Sequence, residues 1–211
     1  MIRNLPPQRG FTLIELLVVM AIISLLAGML TVTVGMARAK ARKAEAQLTI
    51  QAFSAAISAH EARYQFFPPS RFEDPPYEVA TNEVDCGIES VLAHVTRDNN
   101  FSAIDLEDEL LSNLDKDSLN DAELVEHLRW SFGDAQLREY LDPWGSPYIY
   151  INADTYGPEY VITHKDGKKG AARASLSTAT ASYNAPTTYQ LWSSGPNKTN
   201  ENGGGDDIHS W

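Results

Sequence analysis

Gly10-Phe11-Thr12-Leu13-Ile14-Glu15 runs directly into Leu16 to Gly35, LLVVMAIISLLAGMLTVTVG, which contains no charged side chain. About 20 consecutive apolar residues is the length that crosses the hydrocarbon core of a bilayer as a helix. Glu15 stands at the edge of that segment. An ionisable group at such a position costs on the order of 2.5–3.5 kcal/mol to insert, so it marks a function and calls for a partner. On its N-terminal side, Met1 to Arg9 is short and carries only positive charge, Arg3 and Arg9. These residues do not form the small-residue cleavage site of an ordinary secretory signal.

The stretch GFTLIELLVVMAIISLLAGML closely resembles the leader of the type IV pilin and type II secretion pseudopilin superfamily. The resemblance implies that residues 1–10 are a leader peptide, cut after Gly10 by a prepilin peptidase on the cytoplasmic side. It implies N-methylation of the new N-terminal residue, Phe11. It also implies an assembly role for Glu15, paired with the methylated amine of Phe11 on a neighbouring subunit. Opposite charges in a low dielectric stabilise each other only when brought close. Residues 11–36 are then a transmembrane helix that stays with the product. Charge alone leans toward the opposite orientation: Arg38, Lys40, Arg42 and Lys43 on the far flank outnumber the two leader arginines. The need for the leader to face its peptidase overrides that bias.

The formal charge of the chain is −11, and loss of the leader arginines makes it more negative. That acidity argues against nucleic-acid binding. Most of the acids fall between Arg71 and Asp142. The length beyond the membrane segment fits one domain of roughly 140 residues. The single cysteine, Cys86, allows no intramolecular disulfide, whereas many adhesive and twitching pilins close their C-terminal region with a cysteine pair. Cys86 reads as a packed thiol without chemistry.

Residues 37–67 read as a stem helix continuing the membrane segment, rich in Ala, Lys, Arg, Glu and Gln. Ala46, Ile50, Phe53, Ile57 and Tyr64 keep helical spacing and define its buried face. In the membrane segment Gly28 and Gly35 are the weak points, since the proline that relatives often carry there is missing. Phe67-Pro68-Pro69-Ser70 ends the stem helix. Residues 68–141 form an acidic insertion with helices expected at 87–97, at 105–114 (with Leu106, Leu110 and Leu114 on a stripe), and after Asn120 and Glu123, before Leu124, Leu128 and Trp130. Its acids read as a solvated face, with a partner-binding surface as the alternative. From 142 to 211 the period changes to two. Pro147 to Asn152, Glu159 to Lys165 and Thr187 to Ser194 predict an antiparallel sheet of about three strands, with a long mobile loop over 165–186. The fold class is α+β: a long N-terminal helix packed on a small C-terminal antiparallel sheet.

Asp142-Pro143-Trp144-Gly145 followed by Pro147-Tyr148 again resembles the major pseudopilin. Physically it is a turn, with Asp142 capping, Pro143 fixing a dihedral and Gly145 allowing positive φ. The C-terminus, LWSSGPN from Leu191 and GGGDDIHSW from Gly203, combines a bendable backbone with carboxylates. Such hard oxygen ligands suit Ca2+. By resemblance to major pseudopilins, Asp206 and Asp207 supply carboxylates to a structural calcium, and Leu191 and Ser194 supply backbone oxygens. Asn197 stands where the family usually has an aspartate, so one charge is lost and affinity falls. The five histidines show no metal-ligand spacing, and neither a nucleophile elbow nor a phosphate loop is present, so no enzyme is expected. The resemblance implies a pseudopilin of type II secretion. Such a subunit crosses the inner membrane once, exposes its C-terminal domain to the periplasm and polymerises with itself. It works with minor pseudopilins and an inner-membrane assembly platform. A type IV pilin of an adhesive or motility fibre is the alternative.

Overall fold

The computed structural model describes residues 11–73, 83–96, 104, 106–119, 132–164 and 166–211. Two compact units divide the chain, Met1–Ala41 and Arg42–Trp211. The described backbone of the first belongs to α1 (Leu13–Tyr64), a single helix that Gly28 and Gly35 do not interrupt. A glycine costs about 1 kcal/mol in a helix interior, too little to break a segment made of Leu, Met, Ala and Ile. α1 ends where Gln65 turns to a φ of +65° and Pro68-Pro69 remove two backbone donors.

In the second unit α1 buries Ala46, Ile50, Phe53, Ala56 and Ile57, the spacing of one helical face. His60 extends that face, and Tyr64 is only half-buried. Against it lie α2 (Cys86–Val95) and a three-stranded antiparallel sheet, β3 (Ile149–Asn152), β6 (Tyr189–Ser193) and β7 (Ile208–His209), in the order β3-β6-β7. Tyr150 faces Leu191 across the ladder, and Ile149 faces Trp192. Successive side chains of a strand point to opposite faces. Accordingly Tyr148, Tyr150 and Leu191 join α1 and α2 in one core. Ile149, Ile151 and Trp192 join a second core on the other face, with Tyr160, Ile162 and Ala172. Burial of each such side chain contributes roughly 1.5–3 kcal/mol.

The architecture is the expected α+β, and several local elements differ from the sequence reading. The helix expected over 87–97 is present as α2, although all ten of its residues are buried. The segment expected as a helix over 105–114 is a 3-10 turn, Asp108–Leu110, followed by β1 (Leu111–Ser112). β1 pairs with β2 (Glu139–Tyr140), and the bonds that ladder supplies outweigh the local helical pattern. The third expected helix lies outside the described residues. The strands predicted as one sheet are divided: among the described residues β4 (Tyr160–Thr163) pairs with β5 (Lys169–Ala172) and, through a parallel bridge at Val161, with Val84, apart from the β3-β6-β7 sheet.

β5 and the segment after it replace the expected mobile loop. Asp166-Gly167, with Gly167 at a φ of +79°, turns the chain back onto β4. Farther on, the buried Gln190 amide accepts from Ser175 N at 2.6 Å and donates to Ser175 O and Asn184 O. The Asp142 turn behaves as expected and reaches further. Asp142 Oδ1 accepts from Trp144 N and Ser146 N, while Oδ2 accepts from Ser193 Oγ of β6 at 2.6 Å. Burial pushes its carboxyl above the usual range, and those donors oppose the shift.

Candidate functional site

Two sets of residues carry the functional reading, one at each end of the chain. At the N-terminal end, every side chain described between residues 11 and 40 is exposed. That continuous apolar surface far exceeds what a water-soluble surface tolerates. α1 is the one described helix long and apolar enough to cross a membrane, and it fits a single-pass anchor.

Its first turn holds a device absent from the sequence reading. Glu15 Oε2 accepts from Thr12 N at 2.9 Å and from Thr12 Oγ1 at 2.7 Å, while Glu15 N donates to Thr12 Oγ1 at 3.3 Å. This is a reciprocal capping box, and Thr-x-x-Glu before an apolar run was its readable signal. Within one chain, therefore, Glu15 already has a partner. Gly10 lies outside the described residues, and Phe11 is exposed immediately before the cap.

At the C-terminal end, the loop between β6 and β7 brings three carboxylates together. One oxygen from each of Glu201, Asp206 and Asp207 lies within 4.8 Å of the others. Backbone donors fix them: Asp207 Oδ2 accepts from Glu201 N at 3.0 Å and Gly203 N at 2.8 Å, and Glu201 Oε2 accepts from Asp206 N at 3.2 Å. Burial pushes the Asp207 carboxyl up to about 6, opposed by those backbone donors. Asp206 Oδ1, Asp207 Oδ1 and Ser194 Oγ are buried without a hydrogen-bond partner. Gly205 has a φ of +54°, which favours glycine, and a Cβ there would displace the Glu201 carboxylate from the cluster.

Asp206 and Asp207, the expected carboxylates, lie together, and Glu201, absent from the sequence reading, joins them. A third acid between Asn197 and the glycine run was the available signal. Asn197, expected as a ligand through its amide oxygen, bonds to the acids and to its own loop. Its backbone N donates to Asp206 Oδ2, its amide Nδ2 donates to Glu201 Oε1, and its Oδ1 accepts from Thr199 N. These bonds hold Asp206 and Glu201 in place, and Glu201 brings a third carboxylate beside the two aspartates. Leu191 lies in β6, where its carbonyl accepts from Ser210 N, so it serves the ladder. An all-oxygen set with two buried, unpartnered carboxylate oxygens fits a hard divalent cation. Trp211 anchors the same tail, with its ring 4.6 Å from His209 and 5.9 Å from Trp192.

Cys86 is buried, and burial raises its thiol well above the ordinary range.

Neither a curated protein nor a solved structure matches the chain. Residues 5–31 match the prokaryotic N-terminal methylation motif. That type IV pilin-like prepilin signal, opening an exposed apolar helix, implies processing by a prepilin peptidase and membrane association, and it supports the pilin and pseudopilin superfamily.

Proposed function

We propose that the chain is a structural subunit of a type II secretion pseudopilus. It is inserted in the inner membrane as a prepilin, cut after Gly10, N-methylated at Phe11 and polymerised in the periplasm through an assembly platform. The methylation motif with Glu15 at the fifth position of the processed chain carries the subunit reading. The C-terminal loop favours secretion over a surface fibre, because carboxylates gather where a chain with one cysteine has no cystine to close it. Deleting the gene in the native host distinguishes the two. Under this reading extracellular enzymes accumulate in the periplasm and surface fibres persist. Loss of fibres or of surface motility with secretion intact returns the chain to the pilins.

Processing supplies a direct check. Mass spectrometry of the membrane form shows a chain starting at N-methyl-Phe11, and Gly10→Val leaves the leader attached. An intact Met1 in the wild type, or a cut beyond Met36, refutes the assignment.

Glu201, Asp206 and Asp207 would hold a structural Ca2+, with Asn197 positioning them. The ion would stabilise the folded state by mass action, about 2.7 kcal/mol at a hundredfold excess over Kd. Full-length protein in detergent then melts ~5–10 °C higher in millimolar Ca2+ than in EGTA. Asp207→Ala lowers that increment and removes one bound ion per chain. An unchanged calcium count in this variant means that the tail is held by Trp211 and Ile208 packing alone.

A further inference from the structure

Where α2 meets the β1–β2 pair, carboxylates gather away from the C-terminal loop. Glu89, in the first turn of α2, is 1% exposed, and neither of its oxygens has a hydrogen-bond partner. One oxygen each of Glu89, Asp115 and Glu139 lies within 4.8 Å of the others. The charges of Asp117 and Asp85 also act on Glu89. Glu139, fully buried, accepts from Leu114 N at 3.2 and 2.9 Å. Both oxygens of Asp117 are buried and unpartnered. Among the described residues the ion pairs lie on Asp134, Glu159 and Asp166 and none reaches Glu89 or Glu139.

A buried carboxylate without donors or counter-charge costs several kcal/mol, so such a group binds a proton or a cation. Burial, then mutual repulsion, raises Glu89 well above the carboxylate range, and burial raises Glu139 to about 8 and Asp117 to about 7. Three carboxylates drawn from a helix, a turn and a strand suit one ion better than three separate protons. An ion with oxygen ligands at about 2.4 Å spans that separation. The donors are all oxygen, which selects a hard cation. The buried setting disfavours Mg2+, which sheds its water reluctantly.

We propose that Glu89, Asp115 and Glu139 form a second calcium site, which clamps α2 to the β1–β2 pair. The site is independent of the C-terminal loop and of the secretion reading.

The test uses the full chain in detergent, carrying Asp206→Asn and Asp207→Asn to weaken the C-terminal loop. Bound calcium is counted by atomic emission after dialysis against millimolar Ca2+ with Mg2+ present. One ion per chain remains, and Ca2+ raises the Tm by about 5 °C over EGTA. Adding Glu89→Gln, which keeps the shape and removes the charge, abolishes both the ion and the Tm rise. Asp115→Asn, at a half-buried position, does the same and serves if Glu89→Gln does not fold. A parent protein that binds no calcium, or variants that keep the ion, overturns the proposal. In that outcome the carboxyls are neutralised by protons, and Glu89→Gln melts at or above the parent temperature in EGTA.

Discussion

Full-length protein carrying Glu15→Val inserts in the membrane as well as the wild type or better, is processed, and forms at least tenfold fewer polymers. Insertion improves because the substitution removes a carboxylate costing on the order of 2.5–3.5 kcal/mol in the apolar segment. Assembly fails because, under the proposed reading, the charge that meets a neighbour's Phe11 amine is gone. The capping box adds a second explanation that the experiment must separate. Glu15 also satisfies Thr12 N and Thr12 Oγ1 within its own chain and so supports the helix start. Glu15→Gln keeps that box and removes the charge. Loss of polymer in both variants, counted by shearing and electron microscopy, supports the charge role. Normal polymer from Glu15→Gln assigns the requirement to the helix cap instead.

Gly87→Ala destabilises the Arg42–Trp211 unit by about 3 kcal/mol, at the upper end of what overpacking usually costs. An ideal Cβ at Gly87 would lie 2.1 Å from the Tyr150 carbonyl oxygen and 3.1 Å from its carbonyl carbon. Tyr150 is a β3 residue paired with Leu191, so its backbone cannot retreat without loosening the ladder. α2 must lift instead, and the core between α1 and β3 opens with it. Circular dichroism of the full chain should show a Tm lowered by ~10 °C. Gly35→Ala is the control: its site has no heavy atom within 4 Å, so the change is neutral or slightly favourable. Equal melting of Gly87→Ala and wild type would refute the close approach of α2 to β3.

Legibility in the sequence followed the range of the interaction. α1 was readable because an uncharged apolar run continues into a face with helical spacing, both local signals. The Asp142 turn was readable because its chemistry sits within a few residues. β5 was not, since Lys169-Gly170-Ala171-Ala172 has little strand propensity and is held by its pairing with β4. Asp166-Gly167 was the overlooked clue. β1 was beyond local reading, because its partner lies in β2, after a long intervening segment. The pattern on α2 showed Ile88, Val91, Leu92 and Val95 on one side and left Glu89 to solvent. The helix is covered all round, so the acids read as a solvated face are divided: Glu107, Asp108 and Glu109 are exposed, whereas Glu89 and Glu139 are buried. At the two functional ends, residue types were legible and pairings less so. Asp206 and Asp207 were named from the sequence, while Glu201 and the Thr12–Glu15 box had local signals that only the geometry made plain.

The buried Cys86 has a consequence for the conditions under which the protein matures. A thiol at 1% exposure, held protonated by its surroundings, presents no thiolate to oxidants or disulfide catalysts. With no second cysteine, folding needs no oxidoreductase, and reductant does not loosen it. If carboxylates and calcium close the tail, the environmental variable that governs the subunit is the mineral content of the medium. Growth in hard or soft water, or in the presence of a chelator, would then set how much competent subunit the cell holds, while thiol stress leaves that supply untouched.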